Sequence, residues 1–413
     1  MLRIWRRRSG AAVREGVETE KTSYHLLRLL AMFFVVATHM KLVFWTPEQA
    51  GDPLSAAVSA ALGTWLLSCN GLFFMLSGRF ILEQYVKKAE APLLFYRDRF
   101  FKIAVPAFLA AAFQFFYLYR SLRGEVLLEF VRQLLGGKII GYLWFLFPLF
   151  GFYLAVPFLG KLFHVLCTAE LRLLFWLGFL YFALENAYQL WRIDQLPNGW
   201  PFYGWLFYCV LGYLIDRLDM AEESKGGSRS ARRKDTGKTA GEEGMRTAEG
   251  AGKHKRRLFA CLAETFGAAW LLIPAGVIAA LLSGIEAVKF PGVNPALDDF
   301  APSMLLLTAA VYVFVTRAGA WFFARGGRIR DWLAKGIARA GRASFFLYLL
   351  HGFVQNILML FVPEAMRNGA LRWIGMSILC FLLSLLGGLF AERFLYQPYL
   401  SALRRAGLLR AKT

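Results

Sequence analysis

The sequence is poor in the residues from which metal centres and disulfide frameworks are built. Its 413 residues include five cysteines and five histidines. The cysteines, Cys69, Cys167, Cys209, Cys261 and Cys380, are scattered without a CxxC pair. Such spacing supports neither a disulfide scaffold nor a zinc site. HExxH and GxSxG patterns are absent as well, so zinc hydrolysis and a serine nucleophile elbow are not indicated, and no metal is expected. The first residues, MLRIWRRRSGAAVREGVETEKTS, are basic and polar with no apolar core, unlike a cleavable signal peptide. No repeat of the inverted kind that many transporters carry is visible. Charged residues make up only 18% of the chain and leave long stretches empty.

Apolar residues fill those stretches. The chain is 57% hydrophobic and 16% aromatic, with a mean hydropathy of +0.45. A soluble domain of this size could not bury so much apolar surface, which makes lipid the expected solvent. The net charge of +20 sits between apolar blocks and is not interleaved with exposed aromatics, so nucleic acid is not an expected partner.

Ten apolar segments of roughly 20 residues, the length that crosses a bilayer core, lie near 25–45, 56–82, 101–119, 139–160, 171–190, 202–216, 258–283, 302–322, 344–362 and 372–392. Backbone groups in lipid must be satisfied internally, so the segments are helices. The expected fold is an all-α polytopic membrane protein of about ten transmembrane helices with both termini cytoplasmic. Lys and Arg then concentrate in 83–100, 161–170, 217–257, 317–343 and the final tail, as the positive-inside rule requires. The organisation that follows is a basic tail, 1–22, a membrane domain, 23–402, and a tail, 403–413. The domain is interrupted at 217–257, whose composition, rich in Lys, Arg and Glu without an aromatic, suits a disordered cytoplasmic linker.

Within the first segment, RLLAMFFVVATH begins at Arg28 and ends at His39. Eleven helical steps of about 100° return to within roughly 20° of the start, so both side chains leave one face about 16 Å apart along the axis. With Arg28 at the inner boundary, His39 falls near the middle of the roughly 30 Å core. A polar group at that depth turns to the protein interior or a wet cavity. The plain alternatives are a histidine that only packs against a carbonyl and an arginine that only snorkels to headgroups.

YHLLRLLAMFFVVATH resembles the first helix of the acyltransferase type 3 family of bacterial membrane O-acyltransferases, whose hallmark is an Arg, ten residues, then a His. Further matches follow in order. GLFFMLSGRFIL resembles the second helix through Phe73, Phe74, Ser77 and Gly78. RFFKIAVP resembles the entry to the third through Arg99, Lys102 and Pro106. GYLWFLFPLFGFYLAVP resembles the Leu-Trp-Phe-Leu segment, with Tyr153 and Pro157 in register, and ASFFLYLLHG resembles a late helix ending in Tyr-Leu-x-His. Arg79, where many members carry an aromatic or apolar residue, and the long basic linker depart from the pattern.

The resemblance implies transfer of an acyl group, most often acetyl, from cytoplasmic acyl-CoA to a hydroxyl of a cell-surface or lipid-linked glycan, in a multi-pass protein of the bacterial cytoplasmic membrane. A separate extracytoplasmic transferase would carry out any second step. An imidazole titrates near neutral pH and suits the general base such a hydroxyl needs. His39 is the expected base, and His351 carries the second histidine match. Arg28, Arg79, Arg99 and Lys102 are expected around the phosphates of the co-substrate, although positive-inside anchoring accounts equally for Arg99 and Lys102. Ser77, Trp144 and Glu185 are expected along the substrate cavity, with structural pairing the alternative for Glu185. A polytopic transporter or flippase for a glycan precursor, and a non-catalytic scaffold, are the rival classes.

Overall fold

The computed structural model describes residues 2–88, 91–120, 123–136, 141–190, 204–215, 302–363 and 369–410, with single positions between 274 and 299. Every described element is helical. In chain order they are α1 (Leu2–Phe44), α2 (Pro53–Lys87), α3 (Pro92–Tyr119), α4 (Gly124–Leu135), α5 (Leu146–Val165), α6 (Thr168–Leu190), α7 (Trp205–Ile215), α8 (Pro302–Ala324), α9 (Arg328–Leu360) and α10 (Ala370–Arg405).

Seven spans among the described residues are long and apolar enough to cross a bilayer, those of α1, α2, α3, α5, α8, α9 and α10. The fifth and sixth apolar segments coincide with the shorter apolar helices Leu173–Phe182 and Trp205–Ile215. The seventh, 258–283, apart from four single positions, and the linker 217–257 lie outside the described residues. The chain is thus an all-helical polytopic membrane protein. Two features extend the sequence reading. α1 begins at Leu2, so the basic segment is helical over 2–22, as its Ala, Arg and Glu content allows. The additional helix α4 packs Phe130 against Phe115 and Phe116 of α3.

Local signals set several boundaries. Asp52 caps α2 by accepting the backbone N–H of Ser55 at 2.9 Å, with Pro53 at the first helical position. Arg120 ends α3 in the left-handed region at φ 48°. Gly369, at φ 120°, opens α10, and its N–H donates to the carbonyl of Phe44 at 2.9 Å. That bond ties the end of α1 to the start of α10.

α1 is the centre of the bundle. It packs against α2, α8, α9 and α10, and α9 lies along α10. Its residues Leu27, Ala31, Met32, Val36, Met40 and Phe44 are all buried. Charged residues collect at one end, where α2, α5, α8 and α10 finish and α3 and α9 begin. Asp299 accepts from Asn70 of α2 through both carboxylate oxygens, at 3.1 and 3.2 Å.

The Ser77-Gly78 pair has a packing explanation. A Cβ on Gly78 would run into the carbonyl of Cys209, and one on Gly212 into the backbone of Met75. Reciprocal glycines therefore let α2 and α7 cross at backbone distance. Gly78→Ala should cost about 1–3 kcal/mol by forcing these helices apart. The loss should appear as a lower midpoint of thermal unfolding in detergent, and an unchanged midpoint would contradict this crossing.

Candidate functional site

At the charged end of the bundle, α1, α2, α3, α5, α9 and α10 enclose a cavity of about 320 Å³. Its wall includes Arg28, Ser77, Arg99, Lys102, Tyr153 and Arg342. Among the described residues, Arg28 has no carboxylate or hydrogen-bond partner. Its guanidinium lies 5.4 Å from the ring centroid of Phe80, a cation–π contact. Arg99 rests between the rings of Phe95 and Tyr153, at 5.1 and 5.7 Å, and its buried Nε has no partner. Arg342, exposed at the cavity rim, likewise has no ion pair among the described residues. Lys102 differs, since its ammonium pairs with Asp98 at 2.5 Å. Three uncompensated guanidiniums therefore face one space.

The backbone here departs from regular α-helix. Phe100–Ala104 forms a π turn, a device frequent at functional sites. Two of its carbonyls, those of Phe101 and Lys102, accept hydrogen bonds from the hydroxyls of Tyr399 and Tyr396, each at 2.9 Å. α10 thereby clasps the turn that presents Arg99 and Lys102, and α10 carries its own π turn at Ala391–Tyr396.

Arg79 does not join this group. It pairs with Glu83, one turn further along α2, and donates from Nε to the Tyr24 hydroxyl at 3.1 Å. Its absence from the cavity follows from that i,i+4 carboxylate, which captures the guanidinium first. Ser77 reaches the cavity wall, but its hydroxyl donates to the Phe73 carbonyl at 2.8 Å. Trp144 stands behind the wall, 5.6 Å from Trp205 and 6.2 Å from Phe145, and Phe145 rather than Trp144 lines the space. Glu185 belongs to α6, and its side chain lies outside those described.

Beyond the cavity stands a pair of imidazoles. His39 and His351 have ring centroids 5.3 Å apart, with Tyr142 4.8 Å from His351 and 6.2 Å from His39. Tyr348 belongs to both regions. It lines the cavity, its ring is 5.6 Å from that of His351, and its hydroxyl donates to the Tyr142 carbonyl at 2.7 Å. His39 is half-buried and His351 wholly buried. Tyr142 donates its hydroxyl proton to Gln114, whose amide donates in turn to the Leu349 carbonyl at 2.8 Å. Gly352 leaves room for the Tyr142 ring, which would collide with a Cβ there.

A family model described as an acyltransferase domain matches residues 21–390. The chain belongs to the acyltransferase type 3 family. Among curated proteins and solved structures, none matches it. The matched region holds Arg28, His39, Arg99, Lys102, Arg342 and His351. The clasping residues Tyr396 and Tyr399 lie beyond it.

The structure brings together Arg28, Arg99 and Lys102 at one place and His39 with His351 at another, whereas sequence reasoning expected Arg28 and His39 to share one space. Sequence reasoning missed Arg342, counted as a loop cation although α9 carries it into the cavity wall. It also passed over Gln114, the one amide in an otherwise apolar stretch of α3, which should have signalled a buried polar network. In the acyltransferase, Tyr142→Phe leaves the buried Gln114 oxygen without a donor, which should cost about 1–3 kcal/mol. Thermal unfolding of the purified variant measures the loss. Wild-type stability would show that the bond contributes nothing.

Proposed function

We propose that this membrane acyltransferase moves an acyl group, acetyl in the simplest form, from cytoplasmic acyl-CoA to a hydroxyl of a cell-surface or lipid-linked glycan. The observation that carries the reading is the set of guanidiniums of Arg28, Arg99 and Arg342 around one cavity, none with a carboxylate partner among the described residues. Cations without carboxylates in a membrane bundle call for an anionic ligand. Arginine forks bind phosphate through paired donors, and coenzyme A supplies several phosphate oxygens.

The distance along α1 supports the same assignment. Arg28 and His39 lie about 16 Å apart along the axis, so phosphates held at the first need an extended arm to bring a thioester to the second. The pantetheine arm is of that kind. His39 then accepts the proton of the glycan hydroxyl as its oxygen attacks the thioester carbonyl. The C–S bond breaks, and the proton passes from His39 to the departing thiolate. Lys102, held by Asp98, adds field at the phosphates. Arg79 contributes through the packing of α2 and Tyr24, and Trp144 through the aromatic wall behind Phe145.

The protein is read as a multi-pass component of the bacterial cytoplasmic membrane with both termini inside. The linker 217–257 would then join the earlier and later helices on the cytoplasmic face. Any transfer after the first would fall to a separate extracytoplasmic partner.

Membranes containing the protein should transfer radiolabelled acetyl from acetyl-CoA to surface glycan, and His39→Ala should lower the rate by at least about 100-fold. A flippase would leave the label in the coenzyme A pool, and an active His39→Ala variant would remove His39 from the mechanism. Arg28→Ala and Arg342→Ala should each raise the KM for acyl-CoA about tenfold, or about 1.4 kcal/mol, with kcat nearly preserved. An unchanged KM would place the phosphates elsewhere.

A further inference from the structure

The buried imidazole of His351 has one nitrogen satisfied and one not. Nδ1 lies 2.5 Å from the carbonyl oxygen of Tyr348, three residues earlier in α9. A carbonyl only accepts, so Nδ1 carries the proton and Nε2 of the neutral ring is a bare lone pair. Nε2 is buried and has no hydrogen-bond partner among the described residues. Such an orphan acceptor is costly and calls for an explanation.

The neighbouring donors are already committed. Tyr142 gives its hydroxyl proton to Gln114, Tyr348 gives its own to the Tyr142 carbonyl, and Cys380 donates to the His351 carbonyl at 3.6 Å. His39 is the remaining ring beside it. The centroid separation of 5.3 Å is informative here. Two imidazoles joined by an N–H···N bond of about 3 Å, each nitrogen about 1.2 Å from its centroid, have centroids about 5.4 Å apart. Turning the His39 ring about its Cβ–Cγ bond leaves the centroid almost in place while bringing a nitrogen into line. Burial separates the two roles: His39 is half-buried, whereas His351 is fully enclosed and cannot meet a substrate without displacement.

We propose that His351 is a positioning residue whose Nε2 accepts the N–H of His39, fixing the tautomer in which the other His39 nitrogen is free to take the substrate proton. This rests on the acyl-transfer reading given above. The hydroxyl proton moves to His39, the new C–O bond forms, the C–S bond breaks, and the thiolate recovers the proton. His351 bears the hydrogen bond throughout and exchanges no proton of its own. Its own tautomer is set by Tyr348, so the orienting chain runs from the α9 backbone through two rings to the substrate.

The test uses the full chain in detergent with ¹⁵N-labelled histidine, in wild type, His351→Leu and His351→Gln, with His39→Ala identifying the His39 signals. The wild type should show one ring protonated at Nδ1 with Nε2 bare, and this should vanish in both His351 variants. His39 should hold a single tautomer in wild type and become mixed in His351→Leu, while His351→Gln, which keeps an acceptor oxygen, should retain more of it. In acyl transfer, His351→Leu should lower kcat by about 10- to 100-fold with KM for acyl-CoA unchanged, and the Gln variant should recover part of the loss. A protonated Nε2 on His351 in wild type would overturn the proposal, which holds even if the Leu variant fails to fold. An unchanged His39 tautomer in either folded variant would overturn it too. If the tautomers behave as stated but wild type transfers no acyl group, the acyl-transfer reading fails and the hydrogen-bond assignment stands.

Discussion

A guanidinium inside a membrane-length bundle normally has to find a carboxylate, because taking an unpaired charge out of water costs several kcal/mol. Arg79 obeys that rule with Glu83. Arg28 and Arg99, both partly buried, have no such partner among the described residues, and Arg342 stands exposed at the rim of the same cavity. Aromatic faces from Phe80, Phe95 and Tyr153 lie under two of them, supplying about 0.5–2 kcal/mol each without neutralising the charge. The cavity keeps them solvated. Under the function proposed above, an anionic co-substrate would compensate the charge left unpaired here.

The helices that frame the cavity depart from regular α geometry at that same end. π turns occur at Gly78–Leu82, Phe100–Ala104 and Ala391–Tyr396. Each shifts the hydrogen-bond register by one residue and would leave carbonyls short of a donor. Tyr396 and Tyr399 satisfy two of these carbonyls. The cost of an irregular backbone is thus offset by contacts between helices far apart in sequence, and those contacts hold Arg99 and Lys102 where Arg28 also points.

Much of this was legible in the sequence because membrane helices obey simple periodic rules. Apolar length located the spans, and the eleven-residue interval fixed the shared face of Arg28 and His39. The capture of Arg79 was also readable, since Glu83 follows it by four residues, but the family pattern drew attention to the cation rather than to its neighbour. The role of Gly78 and the reach of Arg342 were not readable, because both depend on how helices cross. Nor does periodicity reveal that Arg28 and His39 open into different surroundings. Their common face is a property of α1 alone, whereas the space before each is shaped by α2, α3, α5 and α9.

Tyr348 joins those two surroundings, and its two polar ends do different things. The hydroxyl reaches across to the Tyr142 carbonyl and ties α9 to the turn preceding α5. The backbone carbonyl stays within α9 and orients His351. The ring between them forms cavity wall on one side and imidazole surroundings on the other. A donor bound among the arginines would lie against the same side chain whose backbone sets the histidine. The arginine-lined cavity at one end of α1 and the imidazole pair further along it therefore share a structural element. The connection is made by packing and backbone hydrogen bonds, which persist in a low-dielectric interior where a relay of charges would be expensive.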